Sequence, residues 1–204
     1  MIDTLILQEL AVARGERVLF AGLSARLARG EAMALVGPNG SGKTSLLRAI
    51  AGLIRPLAGR IAFEAKGEAL EPQDARCGGC HLLGHLDGLK SGRSAREELD
   101  FQVSWTGGSG AGARAGAERL GLSPLLDLPV RALSAGQRRR LALARLLAAP
   151  RALWLLDEPL SPLDAHWRSE FGLLMAAHLR EGGLIVAASH DALPIPARQL
   201  ALGG

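Results

Sequence analysis

The sequence predicts an α/β fold: a parallel sheet, an antiparallel β-region before it and a helical subdomain set into it. Three observations predict this. Short apolar runs alternate with helix-length segments from Ala32 to the C-terminal end, the pattern of a parallel sheet. A glycine-rich run at residues 37–44 joins one such strand to one such helix. Between Ser94 and Arg131 the alternation stops and helical patches take over.

Each element has its own warrant. Alternating apolar residues in Thr4–Leu10 and Val18–Leu27 read as antiparallel strands with Gly15 near their turn. Ala32–Val36 is a short buried strand, and Lys43–Gly52 is the helix after the glycine run, closed by Gly52 and Pro56. Arg60–Glu64 returns as a strand, residues 66–79 read as loop and turn, and Cys80–Leu83 is another short strand. Helical patches at Ala95–Val103 and Ala113–Leu120 flank a Gly/Ala/Ser-rich interruption, Thr106–Gly112, which reads as a flexible connection. Ser134–Ala148 is a long helix, Arg151–Leu156 a buried strand, Ala165–Arg180 a helix, and Leu184–Ala188 a strand ending at Ser189-His190. No internal repeat is found, so the chain carries one such unit.

The chemistry lies at four places. Gly37-Pro38-Asn39-Gly40-Ser41-Gly42-Lys43-Thr44, followed by Ser45, fits G-x-x-x-x-G-K-[ST] in the strand–loop–helix context that a phosphate-binding loop requires. Its glycines let backbone N–H groups converge on phosphates at a helix N-terminus. Lys43 would reach the β- and γ-phosphates of ATP, and the Thr44 hydroxyl would ligate Mg²⁺. The apolar strand before Asp157-Glu158 ends in two carboxylates: Asp157 for Mg²⁺, Glu158 to orient and deprotonate water. Trp154 within that strand reads as core packing. Leu133-Ser134-Ala135-Gly136-Gln137 opens a helix and reads either as a simple N-cap or as a second anion site. Ser161-Pro162-Leu163-Asp164 follows the acidic pair, and His190 closes the next strand, where an imidazole could contact the γ-phosphate and the water.

Other classes are less well supported. The net charge of +4 is mild, the basic residues are scattered, and with no Tyr and four Phe there is little to stack on bases, so no nucleic-acid partner is expected. No secretory signal and no membrane-length apolar run is read. Cys77-Gly78-Gly79-Cys80-His81, with His85 behind it, matches haem-attachment and zinc patterns on paper; reduced thiols with Cys80 in the core are the plainer reading.

In this order the motifs resemble the nucleotide-binding subunits of ATP-binding-cassette (ABC) transporters: phosphate loop, signature at Ser134–Gln137, acidic strand end, D-loop at Asp164 and switch His190. The resemblance covers nearly the whole chain. It implies a P-loop NTPase core with an N-terminal antiparallel β-subdomain, about 1–92 and 132–204, and a helical subdomain, about 93–131, in one nucleotide-binding domain. It also implies a homodimer in which ATP lies between the phosphate loop of one copy and Ser134, Ala135, Gly136 and Gln137 of the other. Gly84-His85-Leu86-Asp87-Gly88-Leu89-Lys90, the signature with Arg138-Arg139-Arg140, and the short segment after His190 are similar to the haem-exporter ATPase family of cytochrome c maturation. That implies integral inner-membrane partners, an indirect link to a periplasmic haem chaperone, and a place on the cytoplasmic face of the inner membrane. Other cargo (a lipid, lipoprotein or small solute) and a soluble ATPase acting on nucleic acid are the alternatives. The chain departs from the ABC pattern in three places. His85 stands where most members have Gln, and could sense Mg²⁺ or water. Ala13-Arg14-Gly15 offers no aromatic platform for adenine, with Phe20 the remaining candidate. Ala135 replaces a commoner Gly.

Overall fold

The computed structural model describes residues 1–203. Strands β1 (Thr4–Arg14) and β2 (Arg17–Ala28) form a hairpin turning at Gly15, whose φ of 62° suits glycine. β3 (Ala32–Val36) runs into the glycine loop and α1 (Lys43–Ile50). β4 (Ala58–Ala65), β5 (Glu68–Leu70), α2 (Pro72–Gly79) and β6 (Cys80–Leu83) follow. Next come α3 (Ala95–Trp105), α4 (Gly110–Arg119) and α5 (Ala135–Ala148), then β7 (Leu153–Asp157), α6 (Ala165–Arg180), β8 (Leu184–Ala188) and β9 (Arg198–Ala201).

The strands make two sheets. The first, β2-β1-β4-β5, is antiparallel; the second has the order β6-β7-β8-β3-β9, with β7–β8, β8–β3 and β3–β9 parallel. Every residue of β7 and β8 is buried, which explains their unbroken apolar sequence. The chain divides into two compact units, Met1–Leu82 with Arg151–Pro159 and Ser169–Gly204, and Leu83–Pro150 with Leu160–Arg168.

In the first unit one core joins both sheets to α1. Leu46, Leu47 and Ile50 of α1 are wholly buried in it among Leu35, Leu155 and Val186. Each such burial contributes about 1.5–3 kcal/mol. That anchors the helix whose first residues are Lys43 and Thr44.

In the second unit α3 and α5 each start with a capping box, Ser94 with Glu97 and Ser134 with Gln137. Two expectations are corrected here. Residues 66–79 are not loop: they form β5 and α2, the latter tied by Arg76, which donates to Ile50 O at 3.0 Å and lies over the Phe63 ring. The Gly/Ala/Ser-rich stretch is not a flexible connection through Gly112. α4 begins at its Ser109 cap, and its glycines lie against α5: a Cβ on Gly112 or Gly116 would stand 2.5 or 2.7 Å from the carbonyls of Ala148 and Ala144. One strand is additional: β9, an edge strand paired with β3 that no sequence period announces.

Candidate active site

Three loops of the first unit build the site. The glycine loop is set by backbone geometry: Gly37, Gly40 and Gly42 take φ of 147°, 81° and 102°. A Cβ on Gly37 would lie 2.3 Å from Leu202 O, and one on Gly42 would lie 2.9 Å from the Phe20 ring. Both glycines are therefore required by space as well as by φ. Pro38, Asn39 and Gly40 are exposed at the rim, while Ser41, Gly42 and Lys43 are buried and Thr44 and Ser45 half-buried.

Two features make this loop a fit for phosphate. The Lys43 Nζ donates to the carbonyls of Gly37 at 2.7 Å and Pro38 at 3.1 Å, so a buried cation is held by neutral oxygens. The buried Ser41 Oγ has no hydrogen-bond partner, which is costly unless a ligand supplies one. An anion carrying several acceptor oxygens answers both.

At the carboxyl end of β7 the buried Asp157 accepts a hydrogen bond from the Thr44 hydroxyl, Oγ1 to Oδ2, at 2.9 Å. This brings together the two hard oxygen donors that Mg²⁺ chemistry asks of a protein, the rest coming from phosphates and water. Glu158, the next residue, has φ 48°, a strained value for a side chain of its size. Its N–H donates to Ala188 O at 2.8 Å, pinning the turn to the end of β8. The half-buried carboxylate then faces His190: the His190 N–H donates to Oε2 at 3.4 Å, and Nε2 lies 3.7 Å from Oε1. A carboxylate poised at a strand end beside an imidazole can orient water and accept its proton.

In the second unit Ser134 caps α5. Its Oγ accepts from Gln137 N–H at 3.2 Å, and Gln137 Oε1 accepts from Ser134 N–H at 2.8 Å. Ser134 and Ala135 are exposed, and Gly136 approaches Pro162 O so closely that a Cβ would stand 2.9 Å away. Asp164 caps α6, its Oδ1 accepting from Trp167 N–H at 2.9 Å. Arg139 and Arg140 are buried, so the arginine run is no basic surface patch. Arg140 donates to Leu120 O at 2.7 Å and lies over the Trp167 ring at 4.2 Å. His85 is exposed in the bend after β6.

Thus the structure brings Lys43, Thr44, Asp157, Glu158 and His190 together in one unit, and Ser134–Gln137 with Asp164 in the other. Phe20 is buried behind Gly42 and presents no open face for adenine. Trp154 is stacked on His178 at 3.9 Å inside the core. Cys77 is exposed, whereas burial pushes the Cys80 thiol up to about 12. Among the described residues no three His, Cys, Asp or Glu side chains gather closely enough to form a metal site of their own. No helix of the described residues is long and apolar enough to cross a membrane. Ser41 is expected from the sequence as part of the phosphate-binding loop, but its burial without a hydrogen-bond partner is visible only in three dimensions.

Comparison with known proteins gives a consistent picture. Residues 20–161 match the family model described as ABC transporter. The chain is 49% identical over 194 residues, 95% of both chains, to the cytochrome c biogenesis ATP-binding export protein CcmA of Rhodopseudomonas palustris strain BisB5. It is 49% identical over 191 residues, 94% of both chains, to the protein of the same name from Bradyrhizobium diazoefficiens. A solved ATP-binding cassette, a dimer in a post-hydrolysis state with ADP and Pi, superposes with a TM-score of 0.82 at 21% identity, covering 97% of this chain and 94% of that one.

Proposed function

Since the chain belongs to the ABC transporter family, we propose that it is the ATP-hydrolysing subunit of an export complex serving cytochrome c biogenesis. The complex would move haem or release a haem-loaded chaperone, with this subunit peripheral on the cytoplasmic face of the inner membrane beside integral partners. Near-half identity along almost the full length of the biogenesis proteins supports the subfamily.

The observation that carries the hydrolytic reading is the cluster at the end of β7, where Thr44 meets Asp157 and Glu158 meets His190. Glycine-loop amides and Lys43 bind the phosphates, with Ser41 supplying its unpartnered hydroxyl. Thr44 and Asp157 hold Mg²⁺, which neutralises phosphate charge when bound. Glu158 takes the proton of the attacking water, and His190 fixes the direction of that carboxylate. Ser134, Ala135, Gly136 and Gln137 complete the site of a second copy, and Asp164 follows the acidic pair into the dimer interface. His85 occupies the place in the chain where most ABC members carry Gln, and there it would sense Mg²⁺ or water. ATP binding closes the dimer, hydrolysis opens it, and the membrane partner moves with that cycle.

Replacing Glu158 with Gln tests this. The variant should bind MgATP and accumulate as a closed dimer, with turnover lowered about 10²–10⁴-fold. Undiminished turnover removes Glu158 as the base. Identifying the integral membrane proteins that co-purify with the chain tests the cargo: partners from outside cytochrome c maturation would overturn the haem reading.

A further inference from the structure

Arg139 is the largest wholly buried charged side chain of the described residues, and the hydrolytic cycle above gives it no task. It lies on α5, five residues beyond the Ser134 cap. One nitrogen of its guanidinium, Nη1, donates to Gly84 O at 3.0 Å and to Asp87 Oδ1 at 2.8 Å. Those two acceptors bracket His85 and Leu86 in the chain. The same segment is held from α3 one residue later: Gln102 Nε2 donates to Gly88 O at 3.3 Å and to the buried Glu98 Oε1 at 2.8 Å, and Glu98 pairs with Arg93 at 3.1 Å. All of these groups belong to the second unit. The bend carrying His85 is thus gripped on both sides while the His85 ring and Leu86 stay exposed.

We infer that Arg139 and Asp87 are positioning residues: their ion pair fixes the His85 bend onto the first turns of the signature helix, so that His85 and Ser134 take their places together. This rests on the ATPase reading of the site. The chemistry favours a positional role over a merely stabilising one. A buried ion pair seldom stabilises a fold more than apolar side chains of like volume would, but it does impose one geometry. Through the single nitrogen Nη1 the guanidinium ties together two acceptors, a main-chain carbonyl before His85 and a carboxylate after it.

The consequence is a split between binding and turnover. The glycine loop, Lys43, Thr44 and Asp157 are built within the first unit and do not use the pair. In the full-length chain assembled with its membrane partner, Asp87→Asn should lower kcat on the order of tenfold while changing the KM for ATP less than about twofold. A second variant separates position from stability. Arg139→Met combined with Asp87→Asn removes the buried charge together with its partner, so thermal stability should return toward that of the unaltered chain, while kcat should stay low. Recovery of kcat along with stability would overturn the inference, as would an Asp87→Asn protein with unchanged kcat, or kcat and KM altered in proportion. The underlying reading fails differently: then the unaltered complex, and not only the variants, hydrolyses no ATP.

Discussion

Replacing Ser134 with Ala separates the two roles that its sequence allows. The structure shows the first role: Ser134 Oγ accepts one hydrogen bond, from Gln137 N–H at 3.2 Å, at the exposed start of α5. Losing an N-cap of this kind costs about 1 kcal/mol. For a chain of this size that lowers Tm by about 2–4 °C. With a total stability of about 5–15 kcal/mol, such a loss leaves the folded population essentially unchanged. Capping alone therefore predicts full activity at 25 °C. If the hydroxyl also meets the γ-phosphate of a second copy, ATPase activity should fall by at least about tenfold, equivalent to 1.4 kcal/mol of lost transition-state stabilisation. Ser109→Ala is the matched control, an exposed cap outside the proposed nucleotide site. Ser109 Oγ accepts from Gly112 N–H at 3.1 Å at the start of α4, so its loss removes a comparable cap and leaves the Ser134 hydroxyl in place. Paired thermal melts and steady-state phosphate release decide the matter. Equal Tm losses with a much deeper loss of turnover for Ser134→Ala support the anion site; two variants of equal, near-normal turnover reduce Ser134 to a cap.

The steric and thiol environments give two further outcomes. Alanine at Gly37 should destabilise far more than alanine at Gly40, though both have positive φ: the first meets Leu202 O at 2.3 Å, the second meets open space. Thermal melts should show a loss of about 1 kcal/mol of backbone strain at Gly40 and an additional 1–3 kcal/mol or so of overpacking at Gly37, and equal melts would refute the steric account. At pH 7.5 a maleimide should modify Cys77 alone, because burial raises the Cys80 thiol to about 12 and the reactive thiolate forms only as pH climbs toward that value. Mass spectrometry should count one adduct on the folded chain and two after denaturation; two adducts on the folded chain would place Cys80 outside the core.

The parts legible in the sequence were those with a strong local cause. The glycine loop needs its residue types at fixed spacing, and β7 and β8 are apolar because both faces are covered. The parts that escaped depend on distant partners. Only Ala75 of α2 is buried, so it has no apolar period, and Arg76 holds it by reaching Ile50 O and the Phe63 ring. β9 is mostly exposed and is a strand because β3 offers it an edge. In α4, glycine meant close helix approach, not freedom, a distinction that composition does not carry. At the site, Asp157 and Glu158 were legible as an acidic pair, but the left-handed turn that sends Glu158 toward His190 was not.

If Ser134 meets a nucleotide as proposed, the two anion elements differ greatly in what they can hold. A helix N-terminus of the kind Ser134 caps attracts an anion by about 0.3–1 kcal/mol at an exposed site. Holding a nucleotide at micromolar concentration takes about 8 kcal/mol. The signature end of α5 therefore cannot recruit ATP; it can only add to a nucleotide that is already bound. The glycine loop is the element able to bind first, with converging amides, a buried lysine held by neutral carbonyls, and a hydroxyl left without a partner. With Phe20 buried and Ala13-Arg14-Gly15 bare of aromatics, the phosphates rather than the base must supply most of that affinity. A signature that responds only to a phosphate presented by another surface suits a cycle in which ATP binds one copy and then draws the second onto it. On the proposed cycle, the weakness of the signature alone would leave the two copies apart until ATP is bound.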